Sequence, residues 1–338
     1  FDDEGELGEL RVKKTKQILN RTDCAVLVTD CTLPLGDCEK QLISIFKEKN
    51  IPFIIAKNKA DLLTDIPKEE GAVYVSAKEK TGIEELKNAV AKLTETDTMT
   101  MKLVGDLIKP DDMVVLVTPI DSAAPKGRLI LPQQQAIRDV LEANACAVVV
   151  RETELSGVLG RIEKPALVIT DSQAFARVSK DTPEDIPLTS FSILMARYKG
   201  FLDAAVKGVK AIDDLKDGDK VLISEGCTHH RQCGDIGSVK LPNWLKEYTG
   251  KNLEIVLSSG HGFPEELSDF ALCIHCGGCM LRSKELTYRI KCACDAGVPF
   301  TNYGIAIAYM KGILKRSIGV FPHLVKELED HNGGQRTY

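Results

Sequence analysis

Long apolar runs are missing from this 338-residue sequence. None approaches the ~20 residues that cross a bilayer as a helix, and no secretory signal stands out. An excess of basic residues is missing too: 44 Lys and Arg against 49 Asp and Glu leave a net charge of −5. A general nucleic-acid binder needs a basic surface, so that class is excluded, as is a membrane protein. Low-complexity segments and short-period repeats are absent. Histidine is absent before His229, although the chain has six. What is present, 43% hydrophobic and 28% charged residues, suits a folded, water-soluble protein. At roughly 100–200 residues per domain, the length predicts two or three domains.

Cysteine is plentiful and unevenly placed. Of eleven, Cys24, Cys31, Cys38 and Cys146 are scattered, and the other seven lie between Cys227 and Cys294. Without a secretion signal these read as reduced thiols in a cytoplasmic protein, serving as metal or cluster ligands rather than disulfides. Soft sulfur ligands and imidazoles therefore concentrate in the last third.

The chain reads as α/β, with three domains. In the first, residues 1–97, Cys24–Thr29 and Pro52–Ala56 are short apolar runs that predict buried strands. Asp37–Lys49 has helical character, and Ile83, Leu86, Val90 and Leu93 form a helical stripe after the strand Val73–Val75. In the middle domain, 98–213, strands are expected at Met113–Thr118, Ala145–Val150 and Ala166–Thr170, with a helix at Leu131–Leu141. No catalytic pattern shows there, and Arg138, Asp139, Glu152 and Glu154 read as solvated helix faces. The third domain, 214–338, reads as doubly wound. Its strands are expected at Lys220–Ser224, Leu253–Leu257, Phe270–Ile274 and Val298–Phe300, and its helices at Leu241–Tyr248, Gly278–Lys291 and Gly304–Leu314. Strands alternating with helices imply parallel sheets.

Asn58-Lys59-Ala60-Asp61 follows a first-domain strand directly. A carboxylate there can accept hydrogen bonds from guanine N1–H and the 2-amino group. Adenine lacks that donor pair, so Asp61 would reject it by leaving polar groups unpaired. The Lys59 stem can lie along the base, and Asn58 can tie neighbouring loops together. Ser76-Ala77-Lys78 follows the next strand, and its N–H groups could bind guanine O6. Both loops leave carboxyl ends of strands, where parallel sheets bind ligands.

The two motifs together resemble the base-specificity motifs of the small GTPase superfamily. Residues Phe1–Gly8 look like the tail of that superfamily's switch region. The phosphate-binding loop Gly-x-x-x-x-Gly-Lys-Ser/Thr is not in the sequence, nor is the Asp-x-x-Gly motif. The expectation is a GTP-binding domain without its N-terminal part, so no residue is assigned as catalytic for hydrolysis. The resemblance implies GTP and Mg2+ as ligands.

Cys227-Thr228-His229 follows one strand of the third domain, and His275-Cys276-Gly277-Gly278-Cys279 follows another. Both would sit on one rim of a parallel sheet, the second opening a helix whose N-terminus would lower a thiolate's pKa. Gly277 and Gly278 let the backbone approach closely and point N–H groups at sulfides. Thiolates suit iron–sulfur clusters or zinc. Three thiolates, Cys227, Cys276 and Cys279, leave a fourth position for which His229, His275 and Asp235 are candidates. Cys273 reads as a small hydrophobe inside its strand, Cys292 and Cys294 as buried in a helix, and His230 and His261 as surface residues. Cys233 is ambiguous.

A guanine-binding domain, a middle α/β domain and a Cys-x-His … His-Cys-x-x-Cys domain together resemble, over the whole chain, the HydF family of FeFe-hydrogenase maturation. That resemblance implies a 4Fe-4S cluster on Cys227, Cys276 and Cys279 with an exchangeable fourth ligand. It implies a diiron precursor as cargo, delivered to the FeFe-hydrogenase apo-enzyme, and two radical-SAM maturases as further partners. It also implies a homodimer formed through the middle domain. A GTP-regulated iron–sulfur redox enzyme and a zinc-stabilised assembly GTPase are the alternatives.

Overall fold

The computed structural model describes residues 18–20, 22–67, 69, 71–94, 101–120, 129–226, 235–260, 262–264 and 266–330. Residues 1–8, Cys227, His229, His230, Cys233 and His261 lie outside that set. The chain divides into two compact units, residues 1–100 and 101–338. Three parallel sheets carry the α/β architecture expected from the strand and helix alternation.

The first unit holds β1 (Ala25–Asp30), β2 (Phe53–Asn58) and β3 (Ala72–Tyr74), hydrogen-bonded in that order and all parallel. The Asp37–Glu48 helix links β1 to β2, and Ile83–Thr94 follows β3. Leu19, Leu27, Phe46 and Ile51 form its buried centre, with Phe53 and Ile55 packed against them. β1 departs from the expected buried strand: Leu27 points inward while Val26 and Val28 are exposed. Side chains alternate across a sheet, so a strand covered on one face among the described residues leaves every second valine outside. Gly82 has φ +72°, and a Cβ there would stand 2.2 Å from the Tyr74 carbonyl oxygen, so only glycine opens this helix so close to β3.

The second unit holds two four-stranded sheets over one continuous core. In the first, β4 (Met113–Val117), β5 (Cys146–Val150), β6 (Leu167–Thr170) and β7 (Leu188–Ser190) run in the order β5-β4-β6-β7. In the second, β8 (Lys220–Glu225), β9 (Glu254–Ser259), β10 (Phe270–His275) and β11 (Phe300–Asn302) run in the order β11-β10-β8-β9. Every pairing is parallel. Read from either edge, the two orders are the same: first strand beside second, then third on the other side, then fourth.

β7 was not evident from periodicity, because Leu188–Ser190 is only three residues long. Ser190 and Asn302 end their strands as matching N-caps: Ser190 Oγ accepts from Ile193 N–H and Asn302 Oδ1 from Ile305 N–H. The Phe191–Tyr198 and Tyr303–Met310 helices that they start are almost wholly buried, and the two sheets share them as core. They meet closely at one point, where a Cβ on Gly304 would stand 2.3 Å from Ser192 Cβ. The Leu202–Gly208 helix packs on β11, and a Cβ on Gly208 would stand 2.1 Å from the Phe300 carbonyl oxygen.

Asp139 differs from the solvated face read for it. Its Oδ2 accepts from the backbone N–H groups of Val104 (2.6 Å) and Gly105 (2.7 Å), tying the start of the unit to the Leu131–Glu142 helix. Arg138 does stay outside, paired with Glu142 at 2.6 Å on the same helix. Among the described residues no helix is long and apolar enough to cross a membrane.

Candidate functional site

The guanine-motif residues gather at the carboxyl end of the first sheet. β2 ends at Asn58, and a short 3-10 turn, Ala60–Leu62, carries Asp61. Asn58 Oδ1 accepts from Ala77 N–H at 3.0 Å, so Asn58 ties the two loops together. Asp61 Oδ1 accepts from Ser76 Oγ at 2.5 Å, which fixes the carboxylate's orientation. The Ser76 hydroxyl, and nearby Lys78 and Lys59 to a lesser degree, hold the Asp61 carboxyl below its ordinary range. Lys59 sits at φ +68° and reaches Asp30 Oδ2 at 2.6 Å, linking the β1 and β2 ends. Ser76 N–H donates to Thr81 and Ala77 N–H to Asn58. Of the three N–H groups expected at guanine O6, two are therefore engaged within the protein. Lys78 is exposed, with its ammonium 3.6 Å from Glu79.

The cysteine motifs lie in the second unit. β8 and β10 are neighbours, and their onward connections leave to opposite sides, β8 to β9 and β10 to β11. The crevice beyond their carboxyl ends is the topological switch point of this sheet, where open α/β sheets bind ligands. β8 runs into residues 226–234, which include Cys227 and His229, and β10 runs into Cys276–Cys279. The described ends of the two loops touch. Gly226 N–H donates to Cys276 Sγ at 3.1 Å, Gly278 N–H reaches the same sulfur at 3.4 Å, and Cys276 N–H donates to the Ser224 carbonyl. A Cβ on Gly226 would stand 2.6 Å from Leu281 Cγ, so glycine lets the β8 loop come this close to the Leu281 side chain. A sulfur that accepts backbone N–H groups from two chain segments is arranged as a thiolate ligand would be, since such bonds stabilise charge on sulfur.

One expectation about this loop is corrected. The helix opens at Ser283, not at Gly278. Gly278 takes φ +62°, which breaks any helix there, so Cys276 and Cys279 sit on a loop and gain nothing from a helix N-terminus. Burial instead pushes the Cys279 thiol up. Cys273 is buried inside β10 as expected, its thiol raised to about 12 by burial. Cys292 is half-buried on the Ser283–Asp295 helix, but Cys294 is exposed, because it falls on the face turned from the sheet. Among the described residues no three Cys, His, Asp or Glu side chains come together as a metal site.

His275 ends β10 fully buried, stacked on Phe300. Burial pushes its imidazole down to about 4, so it is neutral at pH 7. Nδ1–H donates to the Cys276 carbonyl at 2.7 Å, and Nε2 accepts from Arg289 Nη1 at 3.0 Å. Both ring nitrogens are thus engaged. Asp235 lies after the β8 loop and caps the Ile236–Lys240 turn, accepting from Ser238 N–H at 3.0 Å.

Several residues here carried no motif. Glu225 is buried at the end of β8 beside the Tyr303 hydroxyl, 3.4 Å away. A Cβ on Gly237 would stand 2.3 Å from Tyr303 Oη and 2.6 Å from Glu225 Oε1, so glycine lets this pair sit under the Ile236–Lys240 turn. Burial first, then the negative charge available to Glu225, Cys276 and Asp235, push the Tyr303 phenol far above its ordinary range. Arg289, fully buried, donates to Ser224 Oγ, His275 Nε2 and the Gly260 carbonyl. Lys199 reaches the Leu281 carbonyl at 2.9 Å. Placement of Glu225 at a strand's carboxyl end was the one signal in the sequence for any of these.

Three curated relatives are the tRNA modification GTPase MnmE of Coxiella burnetii strains Dugway 5J108-111, RSA 331 and RSA 493. Each is 32% identical over 83 residues, 23% of this chain and 18% of the relative. The chain thus spans under a fifth of the length of the curated relatives it matches. Residues 103–200 match the hydrogen maturase F dimerization domain, and residues 203–320 match the hydrogen maturase F tetramerization domain. With both modules side by side and in one chain, this protein belongs to the hydrogen maturase F (HydF) family.

Proposed function

We propose that this chain is a GTP-binding iron–sulfur scaffold of FeFe-hydrogenase maturation. Cys276, Cys279 and Cys227 would hold a 4Fe-4S cluster at the switch point between β8 and β10. The observation that carries this reading is the pair of backbone N–H groups, from Gly226 and Gly278, on Cys276 Sγ. It anchors residue 226, the neighbour of Cys227, on the second cysteine loop. When bound, the cluster supplies an iron with an exchangeable ligand, to which a guest can attach.

The chain's own part is to present three sulfurs and withhold a fourth. His275 spends both nitrogens inside the protein, which leaves the last position to His229, Asp235 or the guest. The guest is the diiron precursor, carried to the apo-hydrogenase, with the two radical-SAM maturases as donors. In the first unit Asp61 reads the guanine edge, the Ser76 hydroxyl orients it, and Asn58 locks the two loops. GTP with Mg2+ is the nucleotide, and GTP hydrolysis is the expected activity. The domains follow the division 1–97, 98–213 and 214–338, and the matched module names support self-association through the second and third.

Iron and acid-labile sulfide analysis with EPR on anaerobically purified protein tests this reading. A cluster signal that changes on addition of imidazole or cyanide is expected. Stoichiometric zinc without iron would overturn it in favour of a zinc-stabilised assembly GTPase.

A further inference from the structure

A buried guanidinium, ion-paired with a partly buried carboxylate, stands behind the cysteine loop. Arg289 Nε meets Glu285 Oε1 at 3.1 Å on the outer side. Its inner side meets neutral acceptors: Ser224 Oγ at 3.4 Å, His275 Nε2 at 3.0 Å and the Gly260 carbonyl at 2.5 Å. The guanidinium carbon also lies 5.0 Å over the Phe263 ring. These partners stand at or just past the carboxyl ends of β8, β10 and β9, so one side chain gathers three strand ends at the rim. Through His275, whose Nδ1–H holds the Cys276 carbonyl, Arg289 reaches the first residue of the loop.

A second cation holds the other end. Lys199 caps the Phe191–Tyr198 helix, and its ammonium donates to the Leu281 carbonyl, two residues past Cys279. Its side chain is half-buried. Lys199 belongs to the matched dimerization module, while the loop belongs to the tetramerization module.

A cation held away from bulk water interacts strongly with an anionic group that assembles near it. Three thiolates with iron and sulfide make an anionic group. We propose that Arg289 and Lys199 are charge-compensating residues of the thiolate site, that they hold the Cys276–Leu281 loop at its two ends, and that His275 is a positioning residue rather than an iron ligand. This rests on the cluster reading above. A nearby positive charge stabilises the reduced, more negative state, so each cation raises the cluster's reduction potential.

The test is an EPR-monitored redox titration of the full chain, reconstituted anaerobically with iron and sulfide. Wild type is compared with Lys199→Gln, Arg289→Gln, Arg289→Lys and His275→Gln, and iron and sulfide content is measured in each. Both charge-removing variants are expected to titrate at more negative potential, so the reduced fraction at the wild-type midpoint falls several-fold. Arg289→Lys should recover most of that shift, and His275→Gln should retain the wild-type EPR line shape. Lys199→Gln alters a partly exposed side chain, so its titration alone decides the charge role should the Arg289→Gln circular dichroism melt show an unfolded chain. Full cluster content with unshifted potentials would overturn the charge role, as would an Arg289→Lys shift equal to that of Arg289→Gln. A changed line shape in His275→Gln would overturn its assignment. Wild type that takes up no iron would instead bring down the cluster reading itself.

Discussion

Replacing Cys276 by alanine separates what the sulfur does for the fold from what it does for the metal. Its Sγ accepts from Gly226 N–H at 3.1 Å and Gly278 N–H at 3.4 Å. Cys276 and Gly226 are half-buried, so water can replace the sulfur at Gly226, whereas Gly278 is buried. One orphaned buried N–H costs about 1–3 kcal/mol, and a sulfur acceptor puts this case at the low end, near ~1 kcal/mol. For a unit of this size ~1 kcal/mol lowers Tm by about 2–4 °C. The Ser224 carbonyl keeps its bond to the residue 276 N–H, since that bond is made by backbone. The expected result is therefore lopsided: a melt displaced by a few degrees, and a cluster lost. Differential scanning calorimetry on metal-free protein gives the first, and iron and sulfide content after reconstitution gives the second. Wild-type iron content in Cys276→Ala would refute the ligand assignment. A collapse of the metal-free fold would refute the small structural cost assigned to the loss of these two bonds.

Two further outcomes concern the first unit. If Asp61 reads the guanine edge as proposed, Asp61→Asn would remove its charge-assisted acceptor bonds, each worth about 1.5–3 kcal/mol, so guanine preference should fall by about 10²-fold or more in competition between GDP and ADP; an undiminished preference would mean that Asp61 does not read the base. The Asp30 carboxyl is held down to about 2 from 3.8, first by Lys59 and then by Thr32, so the ionised form favours the folded state fully above 3.8 and loses that advantage as pH falls toward 2. Lys59→Met should raise the Asp30 midpoint toward its ordinary value in a carboxylate NMR titration, and an unmoved midpoint would refute the pairing.

The alternation of short apolar strands with helices, and the placing of polar motifs after those strands, were legible because both are local. A run such as Lys220–Ser224 announces a buried strand by its own residues, and Asn58, Asp61, Ser76, Cys276 and Cys279 stand at strand ends whatever surrounds them. Once parallel pairing is granted, the rim location of both motif sets follows. The family resemblance carried by the two cysteine motifs was likewise legible, and the matched modules bear it out. Only the tertiary structure decided which charges are buried. Arg289 sits on an outwardly polar helix, and apart from Glu285 on that helix its partners lie 14, 29 and 65 positions away in sequence, so no periodicity could show that it is buried. The same holds for His275, whose two nitrogens are occupied by one neighbouring carbonyl and one distant guanidinium. The helix start at Ser283, the outward turn of Cys294, the exposed valines of β1 and the short β7 were decided the same way. Each depends on what packs against the element, and contact between distant segments is a property of the folded chain rather than of any stretch within it.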